Sequence, residues 1–335
     1  MRFKRMISCI DAHTAGEPVR IVTSGFPAIH GKTMLERRAY VLENLDHCRK
    51  MIMREPRGHN EMFGAVIMNP VTPDGDIGVL FIDNGGMGTM CGHATIGVSK
   101  TVFETGMIPA VEGVNTLKID TPAGRVTSFV EVRDGEVTSV SFQNVPAFLY
   151  KSGITVPLKG VGEVTTDVCF GGAFYAIVES TQVGLDVVPD NAYKLRDICM
   201  EVIKTLDGMK IISHPTEAID WVFGAAIYTP PEIKGDQIVN RNILVFGDAQ
   251  IDRSPCGTCT CARMSQLYAK GIMKPGMILE NHSIIDTVFE GRIAEETKVA
   301  DYPAIVPQIS GMAYIMGINQ LVLEPDDPML EGFRL

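Results

Sequence analysis

Apolar and polar positions along the chain follow the same plan twice, once in each half. Each half opens with a glycine-containing turn, at 11–16 or 167–172, that leads into a short apolar run at 20–22 or 176–178. The β-branched residues in these runs predict strands. An amphipathic helix is expected next in both halves, because apolar residues then recur at three- and four-residue spacing.

The two amphipathic helices are predicted to end at helix-breaking residues. The first covers 42–52 and stops at Pro56-Arg57-Gly58, whereas the second covers 195–206 and is followed by Gly208. Proline and glycine are typical residues just beyond a helix. The same order of turn, strand and helix therefore occurs in both halves.

The later part of each half also repeats. A β-type run at 78–82 or 242–246 leads into a polar loop, a cysteine–glycine turn and a second helix. Two copies at so long a period indicate a duplication rather than a solenoid. The region from about 118 to 147 is rich in strand-type residues and is expected to end the first domain.

The duplication predicts an α+β fold with two pseudo-symmetric lobes and an active site in the cleft between them. We expect the first lobe to contain 1–147 and 312–335, because late strand-type runs at 313–317 and 321–323 can return to its sheet. The second lobe is expected at 148–311.

The two cysteine–glycine turns carry the chemistry-bearing residues. They read Met90-Cys91-Gly92-His93-Ala94-Thr95 and Pro255-Cys256-Gly257-Thr258-Cys259-Thr260, and their first cysteines lie 165 positions apart. Both turns match Cys-Gly-x-x-Thr. A phenylalanine lies ten residues before each of these cysteines and a glycine fifteen residues after it.

A cysteine at the start of a helix is placed for acid–base chemistry. The free N–H groups and the positive end of the helix dipole favour the thiolate and lower the thiol pKa from about 8.5. The same N–H groups bind anions such as a carboxylate, and the glycine after each cysteine lets a ligand approach the backbone. Across a small amino acid, one thiolate would remove the Cα proton and the other thiol would return one to the opposite face.

Other interpretations of these residues stay open. Cys256 and Cys259 form a Cys-x-x-Cys pair, extended by Cys261, which also occurs in redox and metal sites. A disulfide between Cys256 and Cys259 that silences the site on oxidation is a further hypothesis. Two cysteines with a purely structural role at duplicated helix caps would also explain the two turns. His13 and His59, which lie in glycine-containing loops, are weaker candidates for functional residues.

Asp252 lies four residues before Cys256 and is a candidate acceptor for the ammonium group of an amino acid. A turn-forming aspartate that bonds its own backbone is the alternative.

Composition excludes several classes of function. The chain has 335 residues, 45% of them apolar, and a net charge of -10, which argues against a nucleic-acid or anionic-membrane surface. It lacks an apolar run long enough to span a bilayer, and the basic N-terminus lacks signal-peptide features. We therefore expect a cytoplasmic protein whose eight cysteines are not paired in disulfides.

Four segments together resemble the proline racemase family, which includes proline racemases, 4-hydroxyproline 2-epimerases and trans-3-hydroxy-L-proline dehydratases. The resemblance covers essentially the whole chain. The segments are Asp11-Ala12-His13-Thr14-Ala15-Gly16-Glu17, Glu55-Pro56-Arg57-Gly58-His59-Asn60, Met90-Cys91-Gly92-His93-Ala94-Thr95 and Asp252-Arg253-Ser254-Pro255-Cys256-Gly257-Thr258.

The resemblance implies the duplicated fold shared with diaminopimelate epimerase, a homodimer, no cofactor and no metal. It implies that Cys91 and Cys256 are the catalytic pair and that Asp252 accepts the ring nitrogen of the substrate. The further substrate-binding residues that it implies are the backbone donors Gly92, His93, Gly257 and Thr258 and the apolar walls Phe63 and Phe246.

The resemblance also favours one activity within the family. Racemases and epimerases resemble this chain in having cysteine at position 256, where dehydratases usually have threonine. We therefore expect inversion at Cα of proline or 4-hydroxyproline, with dehydration of trans-3-hydroxy-L-proline as the alternative. Three segments depart from the racemase pattern: Met87-Gly88-Thr89-Met90, the dehydratase-like 171–175, and Cys259-Thr260-Cys261.

Overall fold

The computed structural model describes residues 4–334, which form two compact units. The described residues of Met1–Phe142 and Met312–Leu335 make up one unit, and Gln143–Gly311 make up the other. The basic N-terminal segment begins in residues 1–3, which lie outside the described part of the chain. Strands and helices both contribute to each unit, so the predicted α+β class with two lobes is confirmed.

The strands and helices have the following bounds. The strands are β1 (Arg5–Thr14), β2 (Glu17–Ser24), β3 (Phe63–Met68), β4 (Ile77–Asp83), β5 (Gly113–Thr121), β6 (Gly124–Arg133), β7 (Glu136–Gln143), β8 (Ala147–Leu158), β9 (Gly162–Phe170), β10 (Phe174–Glu179), β11 (Gly224–Tyr228), β12 (Glu232–Lys234), β13 (Gln237–Phe246), β14 (Gln250–Asp252), β15 (Ile278–His282), β16 (Val288–Val299), β17 (Tyr302–Gly311) and β18 (Ala313–Leu323). The helices are α1 (Met34–Tyr40), α2 (Asp46–Met53), α3 (Gly92–Glu104), α4 (Ala192–Met209) and α5 (Gly257–Ala269), with a π-helical turn at Val41–Leu45 and 3-10 turns at Ser180–Gln182 and Pro189–Asn191.

In the first unit, antiparallel and parallel strand pairs alternate. β1 pairs antiparallel with β2, which pairs parallel with β3, and the sheet continues through antiparallel β3–β4, parallel β4–β5 and antiparallel β5–β6. The late run 313–323 is one strand rather than two, and β18 pairs antiparallel with β1. The late run therefore lies beside β1 in the sheet of the first unit.

The second unit, residues 143–311, is fully described and repeats this pattern. Antiparallel β9–β10, parallel β10–β11, antiparallel β11–β13, parallel β13–β15 and antiparallel β15–β16 follow in the same order. β16 then pairs with β17, and β17 and β9 both pair with β8, so the strands close into a ring. The predicted duplication is therefore visible in the strand connectivity.

The second helix of each half is the more deeply buried one. Helix α5 contacts β8, β9, β10, β16 and β17, and all of its residues except the last two are buried. Helix α3 contacts β1, β2, β3, β6 and β18 in the first unit. A helix that is buried on nearly all sides has few solvent-facing positions for polar residues. This explains why 92–104 and 257–269 lack the amphipathic pattern of α4.

Several predicted element boundaries differ from the structure. β1 ends at Thr14 and β9 ends at Phe170. Most of each turn predicted at 11–16 and 167–172 is therefore strand, and only the last few residues connect to the next strand. The first amphipathic helix is interrupted by the π turn between α1 and α2. Helix α4 continues through Gly208, and Lys210 takes the left-handed conformation at its end, with φ 53.

Each unit contains a cluster of buried apolar side chains. In the first unit the cluster includes Met51 and Ile52, and in the second it includes Phe148, Phe174 and Leu195. These clusters include residues of β4 and β13, so they hold in place the strands that precede the two cysteine–glycine turns. Among the described residues, 4–334, no helix is long and apolar enough to cross a membrane.

Candidate active site

The two cysteine–glycine turns begin the two buried helices, as the sequence predicts. Cys91 is the residue before α3 and Cys256 is the residue before α5, so Gly92 and Gly257 occupy the first helical positions. The first N–H groups of a helix lack partners within the helix. Each turn therefore combines a thiol with backbone donors.

The threonine of Cys-Gly-x-x-Thr has the same structural role in both turns. The Thr95 backbone N–H and hydroxyl both donate to the Cys91 carbonyl, at 3.0 and 2.7 Å. The Thr260 backbone N–H and hydroxyl donate to the Cys256 carbonyl at 2.9 and 2.7 Å. This shared bonding explains the threonine in both copies of the motif and holds each cysteine at its helix.

The backbones of the two cysteines nevertheless differ. Cys91 has an ordinary extended conformation, with φ -144 and ψ 119, whereas Cys256 has φ 60 and ψ 112. A positive φ in a residue with a side chain costs about 1–3 kcal/mol and persists only where the surroundings hold it. The side-chain amides of Asn242 and Asn281 donate to the carbonyl of Pro255, just before Cys256, at 3.3 and 3.2 Å.

In the first unit, three of the predicted side chains lie together. The Cys91 Sγ is 3.1 Å from the His93 Nδ1, and the ring of Phe63 meets the His93 ring edge-on at 4.7 Å between centroids. The hydroxyl of Thr14 donates to the His93 carbonyl at 2.8 Å, which fixes the first turn of α3.

Burial decides the charge of His93. It lowers the His93 pKa to about 3, against the opposing effect of the Pro18 carbonyl. At neutral pH the imidazole is uncharged, so it interacts with Cys91 through hydrogen bonding rather than as a cation.

In the second unit, Asp252 and Cys256 lie close together. The Asp252 carboxylate accepts from the Ser254 backbone N–H at 2.8 Å, and the Ser254 Oγ accepts from the Cys256 N–H at 3.1 Å. Burial raises the pKa of Asp252 to about 6, although hydrogen bonds from Ser254 and Cys256 work against this. Asp252 thus forms a turn contact with the backbone beside it and also contacts the candidate base.

Burial and charge also act on Cys256. Burial raises the Cys256 pKa well above its usual value, the nearby Asp252 carboxylate raises it further, and hydrogen bonds from Cys259 and Thr258 lower it. The direction is opposite to the one expected from a helix start alone, because the loss of solvation outweighs the helix. Cys256 is therefore a protonated thiol, suited to giving a proton, in the structure as it stands.

Aromatic and hydroxyl groups adjoin Cys256 as well. Phe246 stacks on Phe223 with ring centroids 5.5 Å apart. The Thr258 Oγ1 lies 2.6 Å from the Tyr175 hydroxyl and 3.6 Å from the Cys256 Sγ. The sequence did not predict Tyr175 or Phe223 as site residues. The one sequence signal for Tyr175 is its position in the dehydratase-like segment 171–175.

The remaining cysteines are buried free thiols, as all eight are in this structure. Burial raises the pKa of Cys259 and of Cys261 to about 12, and the Tyr228 hydroxyl donates to the Cys259 Sγ at 3.5 Å. Among residues 4–334, no group of three or more histidine, cysteine or acidic side chains is placed to hold a metal ion.

The two loop histidines take part in local structure. The His13 Nδ1 accepts from the Gly16 N–H at 3.2 Å, and the His13 ring stacks on Tyr314. The carbonyl of His59 accepts from the Asn84 side chain at 2.6 Å.

Comparisons with known proteins find relatives of the whole chain. The proline racemase family model matches residues 9–334. A proline racemase from Clostridioides difficile is 48% identical over 336 residues, which cover 100% of both chains. A trans-3-hydroxy-L-proline dehydratase from Bacillus thuringiensis subsp. konkukian is 40% identical, again over 100% of both chains.

A solved structure shows the same fold along the whole chain. The hydroxyproline epimerase from Agrobacterium vitis, solved with bound trans-4-hydroxy-L-proline, has a TM-score of 0.93 at 29% identity and covers 100% of this chain and 96% of its own. The resemblance found in the sequence is confirmed, and the chain belongs to the proline racemase family.

Proposed function

We propose that this chain is a cofactor-independent isomerase that inverts the configuration at Cα of proline or 4-hydroxyproline. Cys91 and Cys256 are the two acid–base groups in this proposal. The observation that carries it is the presence of a thiol at both equivalent helix starts, each tied to its helix by the threonine of the motif. The names of two relatives, a proline racemase and a 4-hydroxyproline 2-epimerase, support inversion as the reaction.

The helix starts supply the electrostatic part of the reaction. The backbone N–H groups of Gly92, His93, Gly257 and Thr258 bind the substrate carboxylate in this proposal. They also stabilise the negative charge that spreads into the carboxylate as the Cα proton leaves. Such fixed donors act strongly because the surrounding residues are buried.

The two thiols divide the proton transfers between them. In one direction the Cys91 thiolate removes the Cα proton and the Cys256 thiol delivers a proton to the opposite face. The cysteines exchange these roles in the reverse direction, so the enzyme alternates between two protonation states. The high pKa of Cys256 supports its starting as the proton donor.

Asp252 and two phenylalanines complete the proposed site. The Asp252 carboxylate accepts a hydrogen bond from the substrate ammonium, and a positive charge beside it would keep it ionised. Phe63 and Phe246 form apolar walls for the ring. Because a secondary amine cannot form the usual neutral imine with pyridoxal phosphate, direct proton transfer by two thiols suits this substrate class.

The assembly and location belong to the same proposal. We infer a homodimer in the cytoplasm that binds a small imino acid and no nucleic acid or membrane. Sedimentation of the purified protein tests the dimer, because a monomer at micromolar concentration would contradict it.

The activity is tested with three substrates in deuterated water. L-proline, trans-4-hydroxy-L-proline and trans-3-hydroxy-L-proline are incubated separately with the enzyme, and proton NMR follows the Cα signal. We expect exchange and formation of the opposite epimer from one of the first two. If neither exchanges at high enzyme concentration, the proposal fails. A Δ1-pyrroline-2-carboxylate product from the third, detected with a reductase couple, would instead establish the dehydratase.

A further inference from the structure

A short chain of hydroxyl groups connects β10 to the second cysteine. The Tyr175 hydroxyl lies 2.6 Å from the Thr258 Oγ1, which lies 3.6 Å from the Cys256 Sγ. The three residues are 1%, 3% and 6% exposed, so bulk water does not compete for these contacts. A buried hydroxyl with such neighbours is held in one orientation.

The direction of the hydrogen bonds follows from the number of protons. A thiolate can only accept a hydrogen bond, so when Cys256 is ionised the Thr258 hydroxyl donates to the sulfur and accepts from Tyr175. The single proton of the Thr258 hydroxyl is then available to the Cys256 sulfur. A hydrogen bond donated to a thiolate stabilises the charged form more than it stabilises the thiol.

Packing holds Tyr175 in place. β10 is paired on both sides, with β9 and with β11, and the Tyr175 ring meets Phe223 edge-on at 5.8 Å. The turn before β10 also touches the start of α5, since a Cβ added at Gly171 would lie 2.3 Å from the Thr258 carbonyl oxygen. The hydroxyl of Tyr175 is therefore fixed relative to the first turn of α5.

The first half of the chain supports its cysteine differently. At the position of Thr258 in the motif it has His93, an uncharged imidazole whose Nδ1 is 3.1 Å from the Cys91 Sγ. Two bases that look equivalent in sequence thus have different neighbours. Burial and a nearby carboxylate both oppose the thiolate of the second base.

We propose that Tyr175 is a positioning residue for the second base: its hydroxyl orients the Thr258 hydroxyl so that Thr258 donates to the Cys256 thiolate. No proton travels along the chain. When the Cys256 sulfur takes the Cα proton, the thiol replaces the thiolate and the hydrogen bond from Thr258 weakens. The inference rests on the proposed function for its catalytic meaning, but the thiolate it concerns is measurable without substrate.

Other groups also act on the charge of Cys256. The Asp252 carboxylate on β14, the Cys259 thiol on α5 and the Tyr228 hydroxyl on β11 all interact with it. A change of Tyr175 to phenylalanine leaves these three in place, so its effect reports the hydroxyl chain.

The test compares the alkylation rates of the two cysteines in the full-length protein. Iodoacetamide reacts with thiolates, and peptide mass spectrometry separates Cys91 from Cys256 over a range of pH. In Tyr175→Phe we expect the rate at Cys256 to fall about tenfold at a given pH below the thiol pKa, which corresponds to a rise of about one pKa unit. The rate at Cys91 should stay unchanged.

Two further variants keep the test decisive. Thr258→Val removes the same hydrogen bond and should lower the Cys256 rate by the same factor, with no further loss in the double variant. Thr258→Ser retains the hydroxyl and should restore the rate. Tyr150→Phe is the matched control, because the Tyr150 hydroxyl donates to the Ile211 carbonyl instead; it should leave both cysteines unchanged.

Two results would overturn the inference. One is an unchanged Cys256 rate in both Tyr175→Phe and Thr258→Val. The other is a fall in Thr258→Val alone, which would show that Thr258 needs no orienting partner. If Tyr175→Phe does not fold, the comparison of Thr258→Val with Thr258→Ser still decides whether the hydroxyl acts on Cys256. If the Cys256 rate falls in Tyr175→Phe and in Thr258→Val but the wild-type protein inverts no imino acid, the proposed function is refuted and the role of Tyr175 stands.

Discussion

The contact between Gly171 and the start of α5 allows a sharp test of the second cysteine turn. A Cβ at Gly171 would lie 2.3 Å from the Thr258 carbonyl oxygen and 2.6 Å from the Ala262 nitrogen. Both atoms belong to the backbone of a buried helix, which cannot rotate away as a side chain can. The φ of Gly171 lies outside the left-handed region, so Gly171→Ala acts through the clash alone.

The size of the effect follows from the displacement. The Cβ must move from 2.3 Å to at least 3.0 Å, which shifts the turn or the helix by about 0.7 Å. Overpacking of this kind costs about 1–3 kcal/mol in the free energy of unfolding. Misplacement of a reacting group by about 1 Å lowers rates about 100-fold, so we expect kcat to fall about 10- to 100-fold.

Urea unfolding and the rate of proline or hydroxyproline inversion measure these two effects. Gly208→Ala is the matched control, because Gly208 lies inside α4 and an added Cβ there meets nothing within 4 Å. Its expected effect is a gain of up to about 1 kcal/mol from helix propensity with unchanged activity. An unfolding midpoint and a kcat equal to the wild-type values in Gly171→Ala would refute the close approach.

Three further changes test other parts of the site. Thr14→Val removes the hydroxyl that donates to the buried His93 carbonyl, so unfolding by urea should show a loss of about 0.5–1.5 kcal/mol that Thr14→Ser largely avoids; equal loss in both would contradict this. The raised pKa of Asp252 means that the folded state holds this proton up to about pH 6, so wild-type stability should fall relative to Asp252→Asn as pH rises from about 4 to 6; a difference that does not change with pH would contradict the shift. Cys259→Ser should keep most of the inversion rate, because Cys259 is a protonated thiol bonded by Tyr228; loss as complete as in Cys256→Ser would reassign the second base.

The duplicated plan was predictable because it rests on periodic and punctuated patterns. Apolar runs predict β4 and β13, and the cysteine–glycine turns mark the starts of α3 and α5. The closing of β8 against β17 was not predictable, since it joins strands far apart in the chain whose sequences only indicate that each is a strand. Gly208 was misjudged as a terminator because helix α4 packs on its other face and tolerates the glycine.

Within the site, the sequence predicted residues in the motif but not those that support it. Tyr175 reaches Thr258 across 83 positions, and no local pattern marks such a contact. The positive φ of Cys256 was also not predictable, because the amides of Asn242 and Asn281 that hold the preceding carbonyl come from separate strands. The pKa direction of Cys256 was missed for a related reason: a helix start is visible in the sequence, whereas the depth of burial is not.

The most direct test of the two-thiol account is the rate of net inversion in Cys91→Ser and in Cys256→Ser, measured by chiral chromatography with the substrate that the wild type inverts. Each thiol serves one face of the substrate, so each single variant is expected to lose net inversion while keeping a wild-type unfolding midpoint. Inversion at a rate near that of the wild type in either variant would contradict the account.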